Sequence, residues 1–258
     1  MKEGMMLAVQ IILVMFIVGI ALGFVGAGGS GFIISILTVI FGFTIHVSLG
    51  TALAAMIFSS ISGAFSHYRE GDAVLKVGLA VGIFGAIGSW TSSNFSAIIP
   101  ASELKWMTSG MLYLSALILW IRMFIIEKRH SSQDKNSLPN GMSFWIRACG
   151  IGLVTGTISG LFGIGSACFI QIGLMFILGM SVRQSVGTTM MVIIPIALAG
   201  GAGYYHLGYL DIHLLIEVVV GTITGSYIGA KFTKPVPIPI LKVAMLLVPI
   251  TAATLLII

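Results

Sequence analysis

Charge is what this sequence has least of. Only 8% of its 258 residues are Asp, Glu, Lys or Arg and 57% are hydrophobic, whereas a soluble domain carries about a quarter charged residues. That balance excludes a soluble globule, which needs charged side chains to cover its wet surface. Cysteine is scarce as well. Cys149 and Cys168 stand apart with no CxxC, so neither a disulfide framework nor a thiolate metal site is expected, and both read as small apolar residues. Alternating strands of the barrel type are missing, so the membrane spans are expected to be helices of about twenty residues, the length that crosses a ~30 Å hydrocarbon core. The formal charge is +5, yet no basic patch with interleaved aromatics occurs. Nucleic acid is therefore not an expected partner and the lipid bilayer is. No acid pair, Ser/His/Asp set or group of metal ligands stands at membrane depth, so neither an enzyme nor a metal or other cofactor is expected. The apolar run from Lys2 and Glu3 to Val25 has no small-residue cleavage site, so the first helix is expected to persist in the mature protein.

What is present is a repeat. GAGGSGF at 26–32 recurs as GIGSACF at 163–169, and placing Gly26 on Gly163 fixes an offset of 137 residues. The offset also puts Gly19 on Gly156, Ser48 on Ser185, Thr51 on Thr188, Tyr68 on Tyr205, Gly88 on Gly225 and Pro100 on Pro237. Two copies of one helical unit are expected, at 1–126 and 143–258, joined by a polar linker at 127–142.

Each copy reads as four long apolar segments and one short one. In the first copy these are 5–25, the short 31–41, 47–66, 75–97 and 104–126; in the second, 144–162, the short 167–178, 185–206, 212–232 and 239–257. Pieces of eleven or twelve residues are too short to span unaided. Two arrangements follow. If the short pieces are re-entrant, eight transmembrane helices and two half-helices give parallel repeats; if they cross, ten segments give inverted repeats. With eight crossings and the N-terminus inside, Lys2, Arg69, Lys76, Arg122, Lys128, Arg129, Lys135 and Arg147 are cytoplasmic, against Lys105, Arg183, Lys231, Lys234 and Lys242 elsewhere. The positive-inside tendency thereby favours the eight-span arrangement.

Gly26, Gly28 and Gly31 spell GxGxxG, but the motif follows a membrane helix rather than a strand, and no acid stands about twenty residues on, which rejects a dinucleotide site. A helix broken inside a membrane exposes N–H donors at the start of its next piece, an anion site. Gly28, Gly29, Ser30 and Gly31 in one half and Gly165, Ser166 and Ala167 in the other are the candidates. After each short piece comes HVSLGTA or RQSVGTT, so His46 and Arg183 occupy equivalent positions ahead of Ser48 and Thr51, or Ser185, Thr188 and Thr189. Arg183 offers paired donors to two oxygens of an anion, although it could equally snorkel to an interface. Hydroxyls on such helices can also bond their own backbone. Glu217 lies about five residues inside a span, where ionisation is costly, and is a candidate for proton coupling or an interfacial acid paired with Lys or His. His67, Tyr204, Tyr205, His206 and His213 are expected in interfacial loops and aromatic belts. The glycines at 19, 23, 82 and 88 read as close helix packing.

The duplicated unit, with a glycine-rich break, a short helix and then S-x-G-T, resembles the TauE/SafE sulfite exporter family of membrane permeases, over nearly the whole chain. The resemblance implies a multi-pass permease of the cytoplasmic membrane for a small anion, sulfite or an organosulfonate, moved outward through a site between the repeats. Ser166, Ala167 and Cys168 stand where the first copy has Gly29, Ser30 and Gly31, so the two breaks are not equivalent donors. The alternatives are a passive anion channel and, behind it, an intramembrane enzyme or scaffold. The oligomeric state is open, a homodimer being one arrangement such a chain admits.

Overall fold

The computed structural model describes residues 2–25, 30–69, 71, 73–121, 141–233 and 238–258. Among them every regular element is helical. In chain order these are α1 (Lys2–Val25), α2 (Ser30–Ser35), which continues as a π-turn over Ile36–Ile40, α3 (Ile45–Arg69), α4 (Leu75–Ser96), α5 (Ala101–Ile121), α6 (Met142–Phe162), α7 (Ala167–Phe176), α8 (Val182–His206), α9 (Ile212–Thr233) and α10 (Ile238–Ile257). Among the described residues α3, α4, α5, α6 and α8 are long and apolar enough to cross a membrane. The protein is an all-helical, multi-pass membrane protein, with helix bounds close to those expected from sequence. The linker at 127–142 and Gly28 and Gly29 fall wholly or almost wholly outside the described residues.

The physical reason for an all-helical chain is that lipid supplies no hydrogen bonds, so each segment must satisfy its own backbone. Side-chain hydroxyls do likewise: Thr155 Oγ1 donates to Ile151 O at 2.7 Å and Thr189 Oγ1 to Ser185 O at 2.6 Å. The helices are apolar outside and small inside. On α4, Leu79, Ile83 and Ile87 are exposed while Gly78, Gly82, Gly85, Gly88 and Ser89 are buried. With no hydrophobic drive between helices in lipid, such small faces allow the close approach from which dispersion contacts arise.

Two glycines show how close. A Cβ on Gly88 of α4 would lie 2.7 Å from Leu153 O and 3.0 Å from Thr157 N of α6. A Cβ on Gly225 of α9 would strike Phe16 O and come within 2.9 Å of Ile20 N of α1. Each residue of the second contact is 137 positions from its match in the first. Paired positions also give helix direction. Gly78 meets Met191, Gly82 meets Pro195 and Gly203 meets Ser93, so α4 and α8 run parallel. Gly50 meets Tyr204, Gly200 meets Leu53 and Gly63 meets Met190, so α3 and α8 run antiparallel. Helix α7 turns back along α6, with Gly173 against Ile151 and Arg147 Nη1 donating to Ile177 O at 2.9 Å.

Candidate functional site

The second glycine break is a tight reversal. Gly163 closes α6 in the left-handed region at φ 63, its N–H on Ser159 O at 2.8 Å. Gly165 and Ser166 follow at φ 64 and φ 48, and α7 begins at Ala167. A left-handed conformation costs a non-glycine residue roughly 1–2 kcal/mol, so Ser166 is held there by its surroundings. Its hydroxyl does not cap α7. As at any helix start, the first N–H groups of α7 have no carbonyl a turn behind them within the helix.

Ser30, the first described residue after the first break, meets the second break here. A Cβ on Gly165 would collide with the Met56 thioether and stand 3.9 Å from Ser30 Oγ. Gly163 faces Leu49, and Gly200 of α8 faces both Leu53 and Ser89 Oγ. Leu49, Leu53 and Met56 are one stripe of α3, at i, i+4 and i+7, and the stripe forms an apolar wall for the break. Met56 stands near the middle of the 25-residue α3, so the break lies near the middle of the bundle. Four hydroxyls in these segments, those of Ser30, Ser89, Ser159 and Ser166, are buried with no protein partner. Each is a donor left unpaired at a cost of about 1–3 kcal/mol.

The remaining candidates divide. Thr51 Oγ1 is buried without a protein partner, whereas Thr188 Oγ1, at the equivalent position, accepts Val74 N at 3.0 Å and fixes the start of α4. Ser48 donates to Thr44 O at 3.1 Å, and Ser185 lies buried with its carbonyl taken by Thr189. Gly31 packs on Leu112 of α5. His46 stands one turn before Leu49, against which Gly163 packs. It lies ten residues up α3 from Met56, about 15 Å along the helix, with Nε2 on Ser96 O at 3.1 Å and its ring stacked on Tyr209 at 4.9 Å. Arg183 sits in the first turn of α8, behind the capping box of Ser181 and Gln184; its side chain is outside the described residues. Glu217 is half-buried on α9, one turn beyond His213. No group of three or more metal-ligating side chains occurs among the described residues.

The chain matches the family model described as "Sulfite exporter TauE/SafE" over residues 11–256. It belongs to the TauE/SafE family. Among its relatives, the probable membrane transporter protein YdhB of Bacillus subtilis is 51% identical over 246 residues, covering 95% of this chain and 98% of the relative. The probable membrane transporter protein YjnA of the same organism is 27% identical, covering 94% and 98%, and the probable membrane transporter protein MJ0441 of Methanocaldococcus jannaschii is 27% identical, covering 91% and 89%. No solved structure matches the chain. The TauE/SafE family is one of membrane permeases, not enzymes.

In this TauE/SafE chain, sequence reasoning missed Ser89, Ser159 and Met56. The signal was legible in SWTSSNFS, whose serines at 89, 92, 93 and 96 recur at i, i+3, i+4 and i+7, one helix face. Tyr204 is a correction. Expected in an aromatic belt beside the exposed Tyr205, His206 and His213, it is fully buried, with its hydroxyl 2.9 Å from both Ser96 Oγ and Gly160 O. Adjacent aromatics on a helix point about 100° apart, so one of the pair at 204 and 205 turns inward while the other faces lipid.

Proposed function

We infer that this protein is a permease that carries a sulfur-containing oxyanion, sulfite or an organosulfonate, outward across the cytoplasmic membrane, through a site between the two breaks. The observation that carries the reading is the pair of buried hydroxyls without a protein partner, Ser30 and Ser166, gathered around Gly165 at the N-terminus of α7. N–H groups and the positive end of the helix dipole favour an anion, and away from water they favour it more strongly. Sulfite comes from the family's description. Arg183, in the first turn of α8, lies about 25 Å along the helix from Gly200 beside the break, so its charge would draw an anion towards the site from that face rather than hold it there.

The reading includes inverted repeats, 1–126 and 143–258. Helices α3 and α8 are equivalent under the 137-residue offset and run antiparallel; an axis along the membrane normal would leave equivalents parallel. Ten segments are therefore preferred to eight, with the site near the midplane where such repeats meet. Reading along alternating helices, Lys2 and Lys105 fall towards one end, and the described Arg69, Lys76, Arg147, Arg183, Lys231 and Lys242 towards the other. That end is cytoplasmic under the positive-inside tendency, and the N-terminus is outside rather than inside.

Purified protein in sealed liposomes tests this. Sulfite or an organosulfonate should cross only where the protein is present, and should dissipate an imposed pH gradient as it does so. No flux of any such anion would reject the reading, and flux indifferent to the pH gradient would make the protein a passive channel.

A further inference from the structure

Helix α4 buries four serines, Ser89, Ser92, Ser93 and Ser96, all at 3% exposure or less. Close packing alone does not call for them. Helix α9 approaches α1 as α4 approaches α6, and its equivalent positions are Ser226, Gly229, Ala230 and Thr233, with half the hydroxyls. Two members of the α4 row are spent on their own helix: Ser92 Oγ donates to Ser89 O at 3.3 Å and Ser93 Oγ to Trp90 O at 2.8 Å. Ser89 is not. Its hydroxyl lies against Gly200 with no protein partner, and Ser159 of the neighbouring α6 is in the same state.

The row has a direction. Met56, Leu53, Gly50 and His46 step along α3 from the break towards its N-terminus, and they stand beside Gly165, then Gly200 with Ser89, then Tyr204, then Ser96. Ten residues of helix cover about 15 Å, half the hydrocarbon thickness. The row thus extends from the central break to the face where α3 begins.

At that face the row is shut. The Tyr204 hydroxyl reaches Ser96 Oγ at 2.9 Å and the carbonyls of Gly160 and Leu161, at 2.9 and 3.4 Å, tying α8 to α4 and to the last turn of α6 before the break. His46 Nε2 holds Ser96 O and stacks on Tyr209, whose N–H donates to Tyr204 O at 2.9 Å. Tyr204 and Ser96 are fully buried.

We propose that the serine row of α4 is the half of the permeation path joining the central break to the non-cytoplasmic face, and that Tyr204, Ser96, His46 and Tyr209 form its closed gate. The proposal rests on the permease reading and on the charge-based orientation. In export, the gate opens last. An anion leaving Ser30 and Ser166 would pass from hydroxyl to hydroxyl, and opening would replace the Tyr204 bonds to Ser96, Gly160 and Leu161 with water.

The test is thiol accessibility in full-length protein in sealed liposomes, in a background with Cys149→Ser and Cys168→Ala. Ser92→Cys and Ser93→Cys are each treated with a charged, membrane-impermeant thiosulfonate, with elution as a single species as the folding check. His213→Cys, at the exposed start of α9, is the positive control, and the lipid-facing Ile87→Cys is the negative one. With Tyr204 intact, Ser92→Cys should label slowly; with Tyr204→Phe, which keeps the ring and removes the hydroxyl, labelling should rise at least tenfold. If both row positions stay unlabelled with Tyr204→Phe while His213→Cys labels, the row is packing and the proposal fails. Labelling requires no cargo, so gated labelling without sulfite flux would retire the cargo and keep the path, and sulfite flux without labelling would do the reverse.

Discussion

Gly165 and Ser30 meet across the two breaks: a Cβ on Gly165 would stand 3.9 Å from the Ser30 hydroxyl oxygen and would strike the Met56 thioether. Two physical demands fall on position 165, a left-handed φ of 64 and no side chain. Gly165→Ala should therefore lower the melting temperature, by the equivalent of about 1–2 kcal/mol from backbone strain alone, and abolish transport. Adding Met56→Ala should relieve the collision but not the strain, so recovery should be partial. Full recovery of stability and flux in the double variant would show that the backbone conformation is irrelevant.

The hydroxyls around the break should separate binding from folding. Ser30 and Ser166 have no protein partner, so Ser30→Ala and Ser166→Ala should leave the melting temperature unchanged or raise it, and weaken anion binding roughly two- to tenfold each, the effect of one hydrogen bond of about 0.5–1.5 kcal/mol. Ser35 is the contrast. Its hydroxyl donates to Ala252 O at 2.6 Å and to Gly31 O at 2.9 Å, so Ser35→Ala should destabilise the fold and leave affinity alone. Thermal melts and anion titrations on the three variants would expose the reverse pattern.

The outline of this division was legible in the sequence. Composition fixed the helical membrane class because lipid leaves one economical backbone, and the repeat located both breaks because glycine is needed where the chain reverses. Which polar residues converge was not legible. Thr51 and Thr188 are equivalent by position, yet one is unpartnered and the other holds the amide of Val74; such a difference depends on rotation and tilt that no offset encodes. His46 looked like the partner of Arg183 and instead serves Ser96. Ser89 and Ser159 lie outside the glycine motifs and fall on neighbouring helices only because α4 and α6 pack in parallel, with Gly160 against Ser89.

Arg183, at the cytoplasmic end of α8 and remote from the break, is expected to attract the anion rather than hold it. Arg183→Ala should therefore slow transport, more at low than at high ionic strength, whereas Arg183→Lys, which keeps the charge, should change it little. A normally folded Arg183→Ala protein with unchanged transport at low salt would remove Arg183 from the path.

Glu217 stands about five residues into α9, and removing its proton should affect coupling before binding. Glu217→Gln is expected to flatten the dependence of transport on pH while changing anion affinity less than twofold. A pH profile superimposable on that of the wild type would remove Glu217 from the coupling scheme.

The central claim, an oxyanion site built on the two breaks, is tested most directly by thermal stabilisation of the purified protein. Sulfite, sulfate, thiosulfate, sulfoacetate and taurine are titrated into the wild type and into the Ser30→Ala, Ser166→Ala double variant. A ligand at a hundred times its dissociation constant stabilises by about 2.7 kcal/mol. At least one sulfur oxyanion should stabilise the wild type, and the double variant should need several times more of it for the same shift. Equal stabilisation of both proteins, or of neither by any of the five compounds, would contradict the account.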